Sequence, residues 1–119
     1  MSTLQSQEIF GAEIQYFRLE PRYWEPVLQR FQETGLRCVT TYVQWNTHLV
    51  APPDADHPAG HFDFEGKTDP RRNLRRFLEL VESRGFNLNF RCGPFCCNEM
   101  IHGGYPDWLV MGDPNMMVW

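Results

Sequence analysis

Gly85-Phe86-Asn87-Leu88-Asn89-Phe90-Arg91 alternates strictly between apolar and polar side chains. A period of two is the signature of a β-strand, with Phe86, Leu88 and Phe90 on one face and Asn87, Asn89 and Arg91 on the other. Gly85 ends what precedes it, and that preceding stretch reads as a helix. Leu74, Phe77, Leu78 and Val81 fall at i, i+3, i+4 and i+7 and so share one helical face. Asp69 is placed to cap it and Pro70 suits its first turn, where no amide donor is needed. Further upstream, Cys38-Val39-Thr40-Thr41-Tyr42-Val43 is rich in β-branched residues and reads as a second strand. Before it, Trp24, Val27, Leu28 and Phe31 form another helical stripe, with Gly35 positioned as a left-handed cap. Residues 10–17 read as a first strand.

Strand, helix, strand, helix, strand is the order of a parallel α/β fold, because parallel neighbours need a crossover and a helix supplies it. The asparagines and arginine on one face of the third strand refine this reading. A sheet covered by helices on both faces has strands that are apolar throughout. A polar face suits the interior of a barrel near its mouth. Arg91 then reads as an interior ion-pair partner, for example of Glu13. Between the second strand and second helix, residues 44–68 read as one long loop with three prolines and two glycines. A loop of that length is functional or peripheral.

Composition sets the outer limits. With 119 residues, 42% hydrophobic and 14% aromatic, the chain has the makings of a packed domain or part of one. A formal charge of -4 and a pI near 5.5 give no global attraction for nucleic acid. The basic run Arg71-Arg72-Asn73-Leu74-Arg75-Arg76 alternates with helix-core positions and reads as a solvated helix face. No apolar run is long enough to span a bilayer. The N-terminus carries neither a basic region nor an apolar core, so no signal peptide is visible and a cytoplasmic location is expected. Four cysteines, Cys38, Cys92, Cys96 and Cys97, are expected to stay reduced there. His48, His57, His61 and His102 show no metal-ligand spacing and read as ordinary loop histidines.

Three segments carry a resemblance. Gly11-Ala12-Glu13-Ile14-Gln15-Tyr16-Phe17-Arg18 is similar to "GEIHYFR", and Thr41-Tyr42-Val43-Gln44-Trp45-Asn46-Thr47-His48 is similar to "TYVPWNxH". The stretch from Arg91-Cys92-Gly93-Pro94-Phe95-Cys96-Cys97-Asn98-Glu99-Met100 through Gly103-Gly104-Tyr105-Pro106-Asp107-Trp108-Leu109 resembles "RPGPYICAEWxxGGLPAWL". These are the marks of glycoside hydrolase family 35, the β-galactosidases, with some features of family 42. The resemblance spans residues 10–110, and Phe62-Asp63-Phe64 fits the loop between the second and third segments.

The resemblance implies that residues 1–119 are part of a catalytic (β/α)8 barrel, its first three β/α units or so, with parallel strands and sites at their C-terminal ends. It implies a terminal β-galactoside or related carbohydrate as partner, with Tyr42, Cys97, Asn98 and Glu99 as substrate-binding residues. A carboxylate accepts sugar hydroxyls, and an aromatic ring offers a sugar an apolar face. Retaining hydrolysis needs an acid/base and a nucleophile. The resemblance puts both catalytic glutamates beyond the C-terminus, so no catalytic residue is assigned within the chain, and the remainder of the barrel becomes a partner it would need. No cofactor and no metal are implied. Asn98 stands for the usual alanine and Met100 for tryptophan, which loosens the implied preference for galactose toward a related hexose or amino sugar. Gln44 and Cys92 stand for prolines and Cys96 for isoleucine. Two other readings stand beside this one: a non-catalytic product or subunit completed by another chain, and a zinc or thiol module built on Cys92, Cys96, Cys97 and His102. The latter spacing matches no familiar zinc arrangement.

Overall fold

A computed structural model describes residues 10–96, 99–113 and 115. Three strands, β1 (Gly11–Glu13), β2 (Cys38–Val43) and β5 (Asn87–Cys92), form one sheet in the order β1-β2-β5, and both pairings are parallel. Helix α1 (Trp24–Glu33) connects the first two strands, and α3 (Leu74–Ser83) precedes the last. A short helix α2 (Trp45–His48) follows β2 directly and leads into an antiparallel hairpin of β3 (Leu49–Ala51) and β4 (His61–Phe62). Helix α4 (Asp107–Gly112) is the last α-helix among the described residues. No helix among the described residues is long and apolar enough to cross a membrane.

The helices arise where the stripes lie. Trp24 and Leu28 of α1, and Leu74, Phe77, Leu80 and Val81 of α3, are buried against the sheet. Gly35 and Gly85 follow the two helices with φ of +82° and +73°, the left-handed conformation that ends a helix without a Cβ penalty. Capping of α3 differs from expectation. Asp69 accepts from the Arg71 amide and caps a 3-10 turn, Pro70–Arg72, while Asn73 accepts from the Arg76 amide and caps the α-helix itself. Asn73 lies at φ -75°, ψ 68°, outside helical space, so one helix cannot run through it.

Two further expectations are corrected. The first strand stops at Glu13 rather than continuing to residue 17, and Tyr16–Arg18 form a 3-10 turn. That turn puts the Tyr16 and Phe17 side chains in the core together, which strand alternation forbids. The stretch 44–68 is not one structureless loop, since it holds α2 and the β3–β4 hairpin. The arginine run is accounted for locally. Arg71 pairs with Asp69, Arg72 donates to the Thr47 carbonyl, Arg75 faces Glu65, and Arg76 faces Glu79.

The register defines the two sheet faces. Cys38 lies beside Asn87, Thr40 beside Glu13 and Asn89, and Tyr42 beside Arg91, which gives a largely polar inner face. Val39 and Thr41 lie beside Leu88 and Phe90 on the face toward the helices. Val39 and Thr41 are fully covered there, whereas Leu88 and Phe90 of the edge strand remain about 40% exposed.

Phe77 is the joint of this core. It is fully buried, with its ring centroid 5.0 Å from that of Tyr16 and 5.6 Å from that of Trp24. Phe77→Ala is expected to destabilise the fold by about 3–5 kcal/mol, the range for emptying a packed aromatic site. Urea unfolding followed by tryptophan fluorescence measures this, and an unchanged midpoint would show that the joint bears no such weight.

Candidate functional site

The C-terminal ends of β2 and β5 open onto a cleft of about 360 Å³. Its floor comes from Val43, Gln44, Cys92 and Gly93, and aromatic side chains from Trp45, Phe62 and Phe64 wall it. Phe62 and Phe64 stack at 5.8 Å, and Phe64 stacks in turn on His48 at 4.6 Å. On the far side of Trp45, Tyr105 and Trp108 approach to 6.3 and 6.4 Å. Aromatic walls around a few fixed polar groups are the usual build of a small-ligand site.

His48 holds this wall in place. Its Nδ1 lies 2.7 Å from the Asp63 carbonyl and its Nε2 lies 2.5 Å from the Tyr16 hydroxyl. A carbonyl only accepts, so Nδ1 carries the proton and Nε2 accepts from the tyrosine. Burial pushes the His48 imidazole below its ordinary value and outweighs the raising effect of Asp63, so the ring is neutral. Burial likewise pushes the Tyr16 phenol up, helped by Cys92 and Cys96, and keeps its donor hydrogen in place.

Asp63 then fixes the next turn. Its Oδ1 accepts from the Glu65, Gly66 and Lys67 amides, and its Oδ2 from the Thr68 amide and hydroxyl. Burial alone would raise this carboxyl. The Thr68 hydroxyl and the Thr68, Lys67 and Glu65 amides outweigh that and hold it well below the usual carboxylate range. His48 reads in the sequence as an ordinary loop histidine, yet it is 1% exposed and central. The signal for it lay in the Trp45-Asn46-Thr47-His48 and Phe62-Asp63-Phe64 segments.

Of the residues expected to bind substrate, Tyr42 sits near the C-terminal end of β2 on the inner face and is 7% exposed; neither it nor Glu99 lines the cleft. The Arg91 guanidinium lies over its ring, 4.5 Å from the centroid. This corrects the expected ion pair of Arg91 with Glu13. In the register Arg91 stands beside Tyr42, whereas Glu13 lies on β1 beside Thr40 and accepts from the Gln15 amide at 2.6 Å. One face of the Tyr42 ring is therefore covered, and its hydroxyl makes no hydrogen bond among the described residues. Cys97 and Asn98 lie outside the described residues. Glu99 is exposed, with a left-handed φ of 59° that is costly for a residue with a Cβ.

The loop bearing Glu99 is anchored on both sides of it. The Cys96 amide donates to the Gly103 carbonyl at 2.8 Å, and the Gly103 amide donates to the Met100 carbonyl at 3.0 Å. Cys96 belongs to the same buried cluster as Tyr42, and Met100 packs against that cluster. The glutamate is thus carried on a loop pinned to the core at the cleft end of β2.

Gln44, in place of the usual proline, is fully buried. Its Oε1 accepts from the Thr47 hydroxyl at 2.8 Å, and its Nε2 and the Trp45 Nε1 have no partner among the described residues. Cys38, Cys92 and Cys96 are free thiols. Burial, then Cys92, raises the Cys96 thiol. Among the described residues, donor atoms able to share a metal ion come together at one place, Asp54, His57 and His61, and not at Cys92, Cys96 and His102.

Parallel strands joined by helices, with a ligand-sized cleft where those strands end, define an α/β protein of the kind that places its site at the carboxyl edge of the sheet. The sequence profile of glycosyl hydrolases family 35 matches residues 3–118, and the chain belongs to that family. It is 39% identical over 109 residues to an exo-β-D-glucosaminidase of Pyrococcus horikoshii, covering 92% of this chain and 13% of that protein. The corresponding enzyme of Thermococcus kodakarensis is 41% identical over the same shares. The human β-galactosidase-1-like protein 2 is 39% identical over 91% of this chain and 15% of its own length. The chain thus spans 13–15% of the length of these relatives.

His48 and Asp63 both make stability depend on pH. The folded pKa of His48 is lowered, so its contribution is lost as pH falls below about 6.5, where the unfolded histidine takes up a proton first. The folded pKa of Asp63 is also lowered, so its contribution is present above about 4 and lost as pH falls below that. Denaturant titrations at stepped pH should show both declines. His48→Gln should flatten the first and Asp63→Asn the second; a wild-type stability level from pH 7 to 4 would contradict the neutral, buried His48.

Proposed function

We propose that this chain is the N-terminal part, about three β/α units, of a (β/α)8 barrel in a retaining β-glycosidase. Residues 1–119 form part of that catalytic domain and supply one wall of the pocket for the terminal sugar. The observation that carries this reading is the placement of Tyr42 and the Glu99 loop at the same carboxyl edge of a parallel sheet whose inner face is polar. That combination supports a barrel interior, since a sheet buried on both faces would be apolar on both.

In this reading the Tyr42 hydroxyl and the Glu99 carboxylate bind sugar hydroxyls, together with the Cys97–Asn98 stretch. Trp45, Phe62 and Phe64 belong to the neighbouring cleft, which offers an apolar surface beside that pocket. Tyr42 takes a narrower part than its residue type alone suggests, because Arg91 occupies one face of its ring. The sugar is a terminal β-galactoside or a related β-hexoside. The exo-β-D-glucosaminidases among the relatives favour including an amino sugar, as do Asn98 and Met100, the two neighbours of Glu99 in sequence. The acid/base and the nucleophile come from the rest of the barrel, and no cofactor is needed for chemistry carried by two carboxyl groups and water.

A subunit completed by a second polypeptide has one observation in its favour. Leu88 and Phe90 stand exposed on the helix-facing side of edge strand β5, where the next β/α unit of a barrel packs. Either way the chain alone is not expected to hydrolyse nitrophenyl β-galactoside or nitrophenyl β-glucosaminide, and robust turnover of either would overturn the assignment. Joined to the remainder of a family barrel, the chain is expected to restore activity. In that protein Glu99→Gln should lower kcat/KM by about tenfold or more, as the loss of a charge-assisted contact to sugar hydroxyls would. Wild-type kinetics in Glu99→Gln would remove Glu99 from the pocket.

A further inference from the structure

The loop between β3 and β4 brings three metal-binding side chains to one point. Asp54 Oδ2 lies 2.6 Å from His61 Nε2, and Asp54 Oδ1 lies 3.4 Å from His57 Nδ1. The two imidazole rings are 4.0 Å apart, centroid to centroid. One donor atom from each of the three residues falls within 4.8 Å of the others. Around a zinc ion, with bonds of about 2.0–2.2 Å, tetrahedral donors stand roughly 3.3 Å apart. Small side-chain rotations therefore suffice to close this set on an ion.

The backbone already holds the loop in shape. The Asp56 and His57 amides both donate to Asp54 Oδ1, the Asp54 amide donates to the His57 carbonyl, and the Gly60 amide donates to the same carbonyl. Gly60 turns the chain with φ +95°, and a Cβ there would meet Leu49 Cδ1 at 2.5 Å. Contrary to the reading of these residues as ordinary loop histidines, His57 and His61 do stand at a His-x-x-x-His spacing, which lies within the range of structural zinc pairs. What the hairpin lacks is length. It pairs three residues with two, with a register irregularity between Leu49 and Ala51, and short two-stranded ribbons are marginal in water.

We propose that Asp54, His57 and His61 bind a zinc ion that clips the β3–β4 hairpin shut. His61 coordinates through Nε2 and His57 through Nδ1, each as the neutral imidazole with its proton on the other nitrogen, and Asp54 completes three protein ligands. The fourth position is left to solvent. Two imidazoles and a carboxylate suit zinc rather than magnesium or calcium, which prefer all-oxygen shells. Phe62 follows His61 directly in β4, so the ion would fix the base of the aromatic wall of the cleft.

Calorimetric titration of the metal-free 119-residue chain with zinc chloride tests this. One zinc per chain is expected, weakened about tenfold or more by His57→Ala or His61→Ala and unchanged by His102→Ala, whose imidazole faces Asp107 instead. Cobalt substituted at the site should show no thiolate charge-transfer absorption. His57 lies in the exposed turn, so His57→Ala carries the test even if His61→Ala fails to fold. Absence of stoichiometric zinc, undiminished binding in His57→Ala, or a thiolate band from the cysteines would each overturn the assignment.

Discussion

Tyr16 is the point to which the rest of the described structure is tied. Its carbonyl accepts from the Trp24 indole at 2.9 Å, its ring packs on Trp24 and Phe77, and its hydroxyl donates to His48. One fully buried side chain thereby connects the end of β1, both large helices and the segment that follows β2. The constraint is severe because a phenol cannot be buried without a hydrogen-bond partner except at a cost of a few kcal/mol. His48 meets that need, and in doing so it must itself be buried, neutral and bonded on its other nitrogen. Asp63 supplies the carbonyl for that bond, and its carboxylate closes the turn that follows. The aromatic wall of the cleft is the outer surface of this chain of obligations.

The sheet divides the labour between its faces. Toward the helices, Val39 and Thr41 are sealed beneath α1 and α3, and aromatic side chains fill the space between those layers. On the other face Glu13, Thr40, Asn89, Tyr42 and Arg91 lie side by side with few mutual bonds, Asn89 to Thr40 being one at 3.3 Å. Polar groups left without strong internal partners at the carboxyl edge of a parallel sheet are available to a ligand. The same groups buried beneath helices would be a liability.

Much of this was legible in residue order. The stripes at Trp24, Leu28 and at Leu74, Phe77, Val81 gave two helices, because a period of 3.6 has one solution for burying an apolar edge. The β-branched run at 38–43 and the alternation at 86–91 gave strands in the places where they occur. The family was legible in the segments around Tyr16, Tyr42 and Glu99. Less legible were the features that depend on partners distant in sequence. The strand at residues 10–17 is cut short because Tyr16 and Phe17 both enter the core. Arg91 faces Tyr42 rather than Glu13 because of strand register. Asn73, rather than Asp69, caps the α-helix because a 3-10 turn intervenes.

The sequence by itself determined the order of the three sheet strands and the two large helices, the apolar faces of those helices and the family to which the chain belongs, because periodicity and local motifs are properties of neighbours along the chain. Only the tertiary structure decided what His48 does, which neighbour Arg91 takes, and that Asp54, His57 and His61 converge. Each of those depends on a contact closed across a loop or between strands. The free energy of such a contact is set by burial and by the partner it meets, and neither is written in the spacing of the residues that make it.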